Sequence, residues 1–236
     1  PPPPPPPPPG PVVTFDKFSG KALDIGADNG EIWVIGTDNN LYRSFLKGWQ
    51  KKGGQGALMR VESGDIGIWT IDKAGVIIPF INNRGGWQPP VIGVIPAQDI
   101  GSGGGENWIA GRNPPYDIQR IDSYYQKWVW DDPIAVPGGV WRIDVDKNGN
   151  PWVVNQNGQI YRHLPGGWQL LPGSATDIGC GLNGDVWIAG TTKVHGGYEM
   201  LRWNEGSFGW DLIPEIGGVA VTVTAMTRGQ PWVAAD

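Results

Sequence analysis

DIGADNGEIWVIGTDNNLYRSFLKGWQ (residues 24–50) alternates apolar and polar residues around two turn signals, and DVDKNGNPWVVNQNGQIYRHLPGGWQ (residues 144–169) repeats its pattern. Asn-Gly and Asp-rich turns between alternating segments indicate β-hairpins. Each copy therefore predicts four short antiparallel strands. The tryptophan of the second strand recurs at intervals of 36, 39, 44, 35 and 45 residues, and its six copies are Trp33, Trp69, Trp108, Trp152, Trp187 and Trp232.

Six units of this kind predict an all-β, six-bladed β-propeller. Four antiparallel strands in about 40 residues are typical of one propeller blade. A single blade cannot bury its own apolar face, so the units must stack around an axis. The predicted repeats cover about residues 15–56, 57–92, 93–135, 136–173, 174–216 and 217–236, within a propeller of residues 12–236.

The two ends of the chain predict how the ring closes. The sixth unit stops after its second strand, and Val12–Phe18 precedes the first unit with the pattern of an outer strand. We expect this N-terminal segment to join the C-terminal strands, because closure removes open sheet edges. One strand of that blade stays unassigned: the blade has three strands, a neighbour donates one, or the chain continues past Asp236.

The composition narrows the class of partner. The chain has 236 residues, including 14 tryptophans, and only 17% of its residues are charged. A net charge of −5 without any Lys/Arg run argues against nucleic acid as the main partner, since phosphate binding needs clustered cations. No stretch of about 20 apolar residues occurs, so no membrane span is predicted. The single cysteine, Cys180, excludes an intrachain disulfide.

The motif G-x-[IV]-W, followed by G-x-[IL]-Y-R and a second tryptophan, resembles the tectonin repeats of the tectonin and fish egg lectin family. The resemblance covers Val12 to Asp236 and is clearest in units one, four and five. It implies a six-bladed propeller that binds surface glycans in shallow clefts between blades, without catalysis. Unit two departs with GVIIPFI in place of the Tyr-Arg pair, and unit three carries the insertion RNPPYDIQRIDSYYQKWVW.

The turns after the second strands hold the candidate binding residues. They are expected on the propeller face that also carries the connections between blades. Their polar side chains can meet the donor and acceptor groups of sugar hydroxyls, and ordinary turn chemistry is the alternative for each. The candidates are Asp38, Asn39, Arg112, Asn113, Tyr116, Gln156, Asn157, Lys193 and His195.

The other repeated residues are predicted to build the scaffold. The second-strand tryptophans pack between blades. Those of the fourth strands, such as Trp49 and Trp168, either pack near the rim or stack on a sugar. The arginines of the Tyr-Arg pairs bind a carboxylate or a carbonyl.

No catalytic residue, cofactor or metal is predicted. DVDKNG (residues 144–149) begins like a calcium loop, but Asn155 stands where the closing glutamate belongs.

The N-terminal residues 1–11 predict a stiff polyproline II arm. It is a linker between modules, a ligand for an aromatic groove, or the end of a structural rod. These readings raise an alternative function, a structural subunit of an extracellular filament or cell wall that contacts copies of itself or another chain. Either function predicts an extracellular or cell-surface protein. The prolines that would contact a partner or carry O-glycans are Pro1, Pro2, Pro3, Pro4, Pro5, Pro6, Pro7, Pro8 and Pro9.

Overall fold

The computed structural model describes residues 18–28, 31–46, 48–54, 56–64, 67–81, 86–124, 127–194, 197–213, 222–225 and 231–234. These residues form an all-β structure of five four-stranded antiparallel sheets and one two-stranded sheet. Consecutive strands of each sheet are hydrogen-bonded neighbours, so each sheet is a simple meander.

The bounds of the strands follow the repeats. The first blade contains β1 (Ala22–Asp28), β2 (Glu31–Gly36), β3 (Leu41–Phe45) and β4 (Gly48–Gly53). The second contains β5 (Leu58–Gly64), β6 (Gly67–Asp72), β7 (Ile77–Ile81) and β8 (Gly86–Trp87). The third contains β9 (Ala97–Gly103), β10 (Glu106–Gly111), β11 (Ile118–Tyr124) and β12 (Lys127–Trp130). The fourth contains β13 (Val140–Val145), β14 (Pro151–Asn155), β15 (Gln159–Leu164) and β16 (Gly167–Ser174). The fifth contains β17 (Asp177–Cys180), β18 (Val186–Val194), β19 (Gly197–Asn204) and β20 (Gly209–Leu212). The last sheet pairs β21 (Thr222–Ala225) with β22 (Pro231–Ala234).

The first strand of each sheet lies on the inside of a ring. Each inner strand contacts the next one around the ring, in the order β1, β5, β9, β13, β17 and β21. The ring closes because β21 contacts β1. The predicted propeller is therefore confirmed, but the prediction of six blades is corrected. The described residues form five four-stranded blades, and the sixth position holds two strands. Residues 12–17 and the proline arm lie outside the described residues.

The second-strand tryptophans pack between blades, as predicted. Trp33 has no exposed surface and joins a cluster with Leu58 and Phe80 of the second blade. Trp152 of the fourth blade packs with Ile178 and Ile188 of the fifth in the same way. Truncating such a side chain typically costs about 3–5 kcal/mol, so these contacts between blades are a main source of stability.

In four of the described blades, the fourth-strand tryptophan links its blade to the preceding unit. Their indole N–H groups donate to backbone carbonyls at the outer edge of that unit. The four described pairs are Trp49 to Ser19 (2.7 Å), Trp87 to Lys52 (3.2 Å), Trp168 to Ala135 (2.7 Å) and Trp210 to Pro172 (2.8 Å). Of the two readings for Trp49 and Trp168, packing near the rim is the one that these bonds favour.

The arginines of the third strands bind carboxylates, as predicted. Arg120 pairs with Glu106 at 3.0 Å, and Arg162 pairs with Glu205 at 2.9 Å. The guanidinium of Arg162 also lies 5.5 Å from the ring centre of Trp152, so it covers a core indole. The same arrangement recurs in the pairs Arg43–Glu31 and Arg202–Asp185.

The strands around the axis carry two levels of buried charge. The first level alternates acid and base from blade to blade, through Asp24, Arg60, Asp99, Arg142 and Asp177. Arg60 lies 3.7 Å from both Asp24 and Asp99. Asp24 also accepts a 2.7 Å hydrogen bond from the backbone N–H of Val61, and Asp99 accepts one of 3.0 Å from Ile143. These carboxylates thus join the inner strands of successive blades.

The second level alternates glycine with a buried acid. Gly26, Glu62, Gly101, Asp144 and Gly179 each pair with the second-strand tryptophan of their own blade. A Cβ on Gly101 would lie 2.4 Å from the Cα of Asp144, so only glycine allows the inner strands to approach this closely.

Burial governs the protonation of three axial acids, Asp24, Glu62 and Asp144. It raises the pKa of Asp24 to about 7, against the opposing effect of Arg60. Burial likewise raises the pKa of Glu62 and of Asp144 well above the usual range. The axis therefore holds carboxyl groups that bind protons more strongly in the folded chain than in water.

Candidate functional site

We define the upper face as the end of the ring at which the inner strands begin and the second strands end. The turns that carry the candidate sugar-binding residues lie here, beside the connections between blades. The structure places Asp38 and Asn39 after β2, Arg112 to Tyr116 after β10, and Gln156 with Asn157 after β14.

The turn after β2 is stabilised by side chains of its own blade. The carboxylate of Asp38 accepts hydrogen bonds from the Tyr42 hydroxyl (2.7 Å) and the Lys51 ammonium (3.0 Å). These two partners, Tyr42 foremost, lower the pKa of Asp38 to about 2. The Asp38 carboxylate therefore already has two partners within its own blade.

Two candidate residues link neighbouring blades. The side-chain amide of Asn39 donates to the Leu58 carbonyl at 2.9 Å, and its oxygen accepts a 3.2 Å bond from Lys73. Asn39 has a φ of 59°, a left-handed conformation that asparagine tolerates better than most residues. Arg112 donates to the backbone carbonyl of Lys73. Turn and linkage chemistry therefore accounts for both side chains.

Three other candidates converge between the third and fourth blades. The Val140 N–H donates to the Tyr116 carbonyl at 2.7 Å, and Gln156 Nε2 donates to the Val140 carbonyl at 2.6 Å. A Cβ on Gly139 would lie 3.0 Å from Tyr116 and 3.5 Å from Gln156, so these two side chains flank the same glycine. Asn157 borders the neighbouring Gly138 in the same way, at 3.2 Å. We call this place the third–fourth cleft.

A buried residue outside the predicted set fixes the cleft. Asn155 is 1% exposed, and its amide nitrogen donates to the Pro137 carbonyl (2.9 Å) and to Gln159 (3.0 Å). Its amide oxygen accepts 2.9 Å bonds from the N–H groups of Asn157 and Gln159. The turn that presents Gln156 and Asn157 is thereby ordered from beneath.

An exposed tryptophan lies near the start of β13, where Tyr116 and Gln156 bind the strand's backbone. Trp141 directly follows Val140, is 41% exposed, and has the Arg142 guanidinium 4.9 Å from its ring centre. Sequence reasoning missed it because Trp141 belongs to neither recurring tryptophan position. The sequence did contain a signal for it, because Trp141 is an additional tryptophan in the fourth unit beside Trp152 and Trp168.

The remaining candidates do not take part in the contacts that define the third–fourth cleft. Lys193 is exposed on β18, where its backbone pairs with that of Tyr198 in a protruding hairpin. Asn113 is exposed in the turn before Tyr116, to which its carbonyl is hydrogen-bonded at 2.8 Å. His195 lies outside the described residues.

The calcium-like stretch is used structurally. Asp144 faces the axis and accepts a 2.6 Å bond from the N–H of Cys180. Asp146 caps the hairpin turn by accepting bonds from the N–H groups of Asn148 and Asn150. Within the described residues, no group of three or more His, Cys, Asp or Glu could hold a metal ion. The same part of the chain contains no helix that is long and apolar enough to span a membrane.

The family can be assigned from residues 20–236, which match the Tectonin domain model. The chain belongs to the Tectonin domain family. This tectonin-repeat assignment confirms the resemblance read from the sequence motif. No curated protein matches the sequence.

Several solved structures share the fold of this tectonin propeller. The WD40 repeats of RRP9 superpose with a TM-score of 0.65 at 10% identity, covering 93% of this chain and 89% of that one. A streptogramin B lyase gives a TM-score of 0.58 at 15% identity over 92% and 91% of the two chains. YCF48 bound to D1 peptide gives 0.54 at 14% identity over 95% and 78%. At these identities the likeness establishes the propeller architecture alone.

Proposed function

We propose that this protein is a non-catalytic, lectin-like module that recognises surface or matrix glycans. The observation that supports this most is the convergence of Tyr116, Gln156 and Asn157 on the third–fourth cleft. These side chains come from two different units and meet at the connection between them.

The chemistry of the cleft suits a carbohydrate. A sugar hydroxyl both donates and accepts, and amide and phenol groups offer both functions at short reach. Gln156 and Asn157 are exposed on a turn that Asn155 orders, so little backbone freedom remains to be lost on binding. Preorganised polar groups beside an exposed apolar surface are typical of small-ligand sites.

The placement of the acids supports a non-catalytic role. Glu62 and Asp144 are buried at the axis, and Asp24 and Asp99 bond to the inner strand of the next blade. General acid–base catalysis needs such groups within hydrogen-bond reach of a substrate. The polar side chains of the third–fourth cleft are the two exposed amides of Gln156 and Asn157 and the partly buried phenol of Tyr116.

A glycan array tests the proposal directly. The full chain, carrying an N-terminal dye, would be applied to neutral, sialylated and sulfated glycans. We expect selective capture of at least one saccharide class that free sugar competes away. The proposal is wrong if no glycan is captured at any protein concentration up to the solubility limit.

We further propose that residues 12–18 add the outer strand of the sixth sheet and so close the ring. The Ser19 carbonyl accepts the Trp49 indole N–H, the role that Lys52 plays in β4 and Pro172 in β16. We therefore expect the residues just before Ser19 to take the place of an outer strand. Phe18 also packs edge-on against Trp232 of β22, with 5.2 Å between ring centres.

A pair of truncations tests this closure. Removing residues 1–17 is expected to lower the midpoint of thermal unfolding by several degrees, because the strand and its links are lost. Removing residues 1–11 is the matched control and should leave the midpoint unchanged. Equal midpoints for both truncated chains would exclude residues 12–17 from the fold.

An extracellular or cell-surface location is part of the lectin proposal, since that is where such glycans are displayed. The alternative function, a structural subunit joined through its proline arm, rests on the composition of residues 1–11. Mass spectrometry of the native protein tests it. Unmodified prolines, together with a monomer in solution, would exclude that function.

A further inference from the structure

We propose that Trp141 is the stacking platform of a single binding site for a neutral pyranose in the third–fourth cleft. This inference rests on the proposed glycan-binding function and deepens it, because it names the platform, the number of sites and the sugar class. The platform lies at a register shift that recurs near the beginning of four inner strands.

Four inner strands carry the same irregularity. In β1, β5, β9 and β13 the pairing with the second strand shifts by one residue near the upper face. A bulge of this kind turns the extra side chain out of the regular ladder and is often found beside functional sites. The bulged residues are Leu23, Met59, Gln98 and Trp141.

The side chains at these bulges differ in exposure. Gln98 is buried, and Leu23 and Met59 are partly buried. Trp141 is 41% exposed, which makes it the exposed aromatic residue of this set. Within the described inner strands, the fold therefore presents one indole at a position that it repeats four times.

The backbone beneath Trp141 is held from three sides. Val140 donates its N–H to Tyr116 at 2.7 Å, and its carbonyl accepts bonds from Gln98 (2.8 Å) and Gln156 (2.6 Å). Two of these partners belong to the third blade and one to the fourth. The backbone that carries the platform is thus held by Tyr116 and Gln156 of the third–fourth cleft and by the buried Gln98.

One face of the indole is already covered. The Arg142 guanidinium lies 4.9 Å from the ring centre and is itself held by Asp177 at 3.4 Å. Because the indole remains 41% exposed, we assign its opposite face to the ligand. An aromatic face that is rigid and partly exposed binds the C–H face of a pyranose, while neighbouring amides bind the hydroxyls.

The charges around the platform select a neutral sugar. Gln98, Gln156 and Asn157 are amides, Tyr116 is a phenol, and the Arg142 charge is matched by Asp177. Among these described residues, none carries a positive charge without a paired carboxylate. The platform therefore offers no cation to bind the carboxylate of a sialic acid or a sulfate ester.

The test compares matched variants on one array of neutral and acidic glycans, followed by titration with the best-binding methyl pyranoside. Trp141→Ala is expected to weaken binding at least about tenfold, as loss of a central aromatic anchor does. Trp141→Phe should retain much of the affinity. Met59→Ala alters the equivalent bulge of the second blade and should bind like the unaltered protein.

The outcomes separate the two proposals. Binding that survives Trp141→Ala unchanged, with wild-type unfolding temperature, would overturn the platform but leave glycan recognition intact. Capture of acidic glycans alone would overturn the neutral class. A wild-type protein that binds no glycan would overturn the proposed function, and the platform with it.

Discussion

Met59 in the second blade and Trp141 in the fourth occupy the same bulge of their inner strands. Each is followed by an arginine of the first axial level, Arg60 or Arg142. Two residues after that arginine comes a buried acid of the second level, Glu62 or Asp144. The surroundings are thus nearly identical, yet Met59 is partly buried and Trp141 is exposed. The register and the axial charges build the scaffold, and the bulge is where a unit can differ without disturbing it.

The largest expected effect contrasts a buried tryptophan with the exposed one. Trp33→Ala should lower the free energy of unfolding by about 3–5 kcal/mol, because its indole fills the space between two blades. Trp141→Ala should stay within about 0.5 kcal/mol of wild type, as exposed substitutions do. Urea unfolding of both variants measures this. Comparable losses in the two variants would show that Trp141 is also a scaffold residue.

The axial charges predict how stability depends on pH. The folded-state pKa of Asp24 is raised to about 7, and burial raises the pKa values of Glu62 and Asp144 as well. An acid with a raised folded-state pKa contributes stability that is fully present below its unfolded pKa. That contribution is lost as pH rises through the folded value, so the protein should be more stable at pH 5 than at pH 8.

Urea midpoints across this pH range measure the effect. Glu62→Gln is the informative variant, because it keeps the shape of the side chain and removes its titration. Its stability should fall less between pH 5 and pH 8 than that of the wild type. A wild-type midpoint that rises with pH would contradict the axial account.

A smaller effect is expected from the turn of the third–fourth cleft. Asn155→Ala removes four hydrogen bonds beneath Gln156 and Asn157 and should cost about 1–3 kcal/mol. It should also weaken glycan binding, because the turn loses its order. Asn113→Ala, an exposed residue of the same face, is the control for stability. If Asn155→Ala binds glycan with full affinity, the order of this turn does not contribute to binding.

The smallest effect concerns the rim. Trp49→Phe keeps the aromatic ring but removes the N–H that donates to Ser19, and should cost about 1 kcal/mol. Trp87→Phe removes the matching bond to Lys52 and should cost a similar amount. Differential scanning calorimetry resolves both. A much larger cost at Trp49 than at Trp87 would show that the first link carries added weight in closing the ring.

The repeated part of the sequence predicted the fold well for a physical reason. Asn-Gly turns and alternating segments specify hairpins locally, and second-strand residues such as Trp33 recur because every blade must bury the same position. The number of complete blades was less predictable. It depends on pairing between segments about 200 residues apart, such as Phe18 and Trp232, which no local pattern encodes.

The site was only partly predictable. Turn chemistry identified Gln156 and Tyr116, but it could not separate them from Asn39 and Arg112, whose side chains bind across to the second blade. Trp141 escaped because a bulge is defined by pairing between two strands, and pairing is not visible in one strand's sequence. Local pattern thus finds candidate residues, and tertiary contacts decide which remain accessible.

The central claim is that one cleft of this repeated ring binds a neutral sugar on Trp141. Isothermal titration of the full chain with the strongest neutral glycoside from the array tests it most directly. We predict one sugar bound per chain, and at least about tenfold weaker binding by Trp141→Ala. A stoichiometry near five or six, or undiminished binding by Trp141→Ala, would contradict the account.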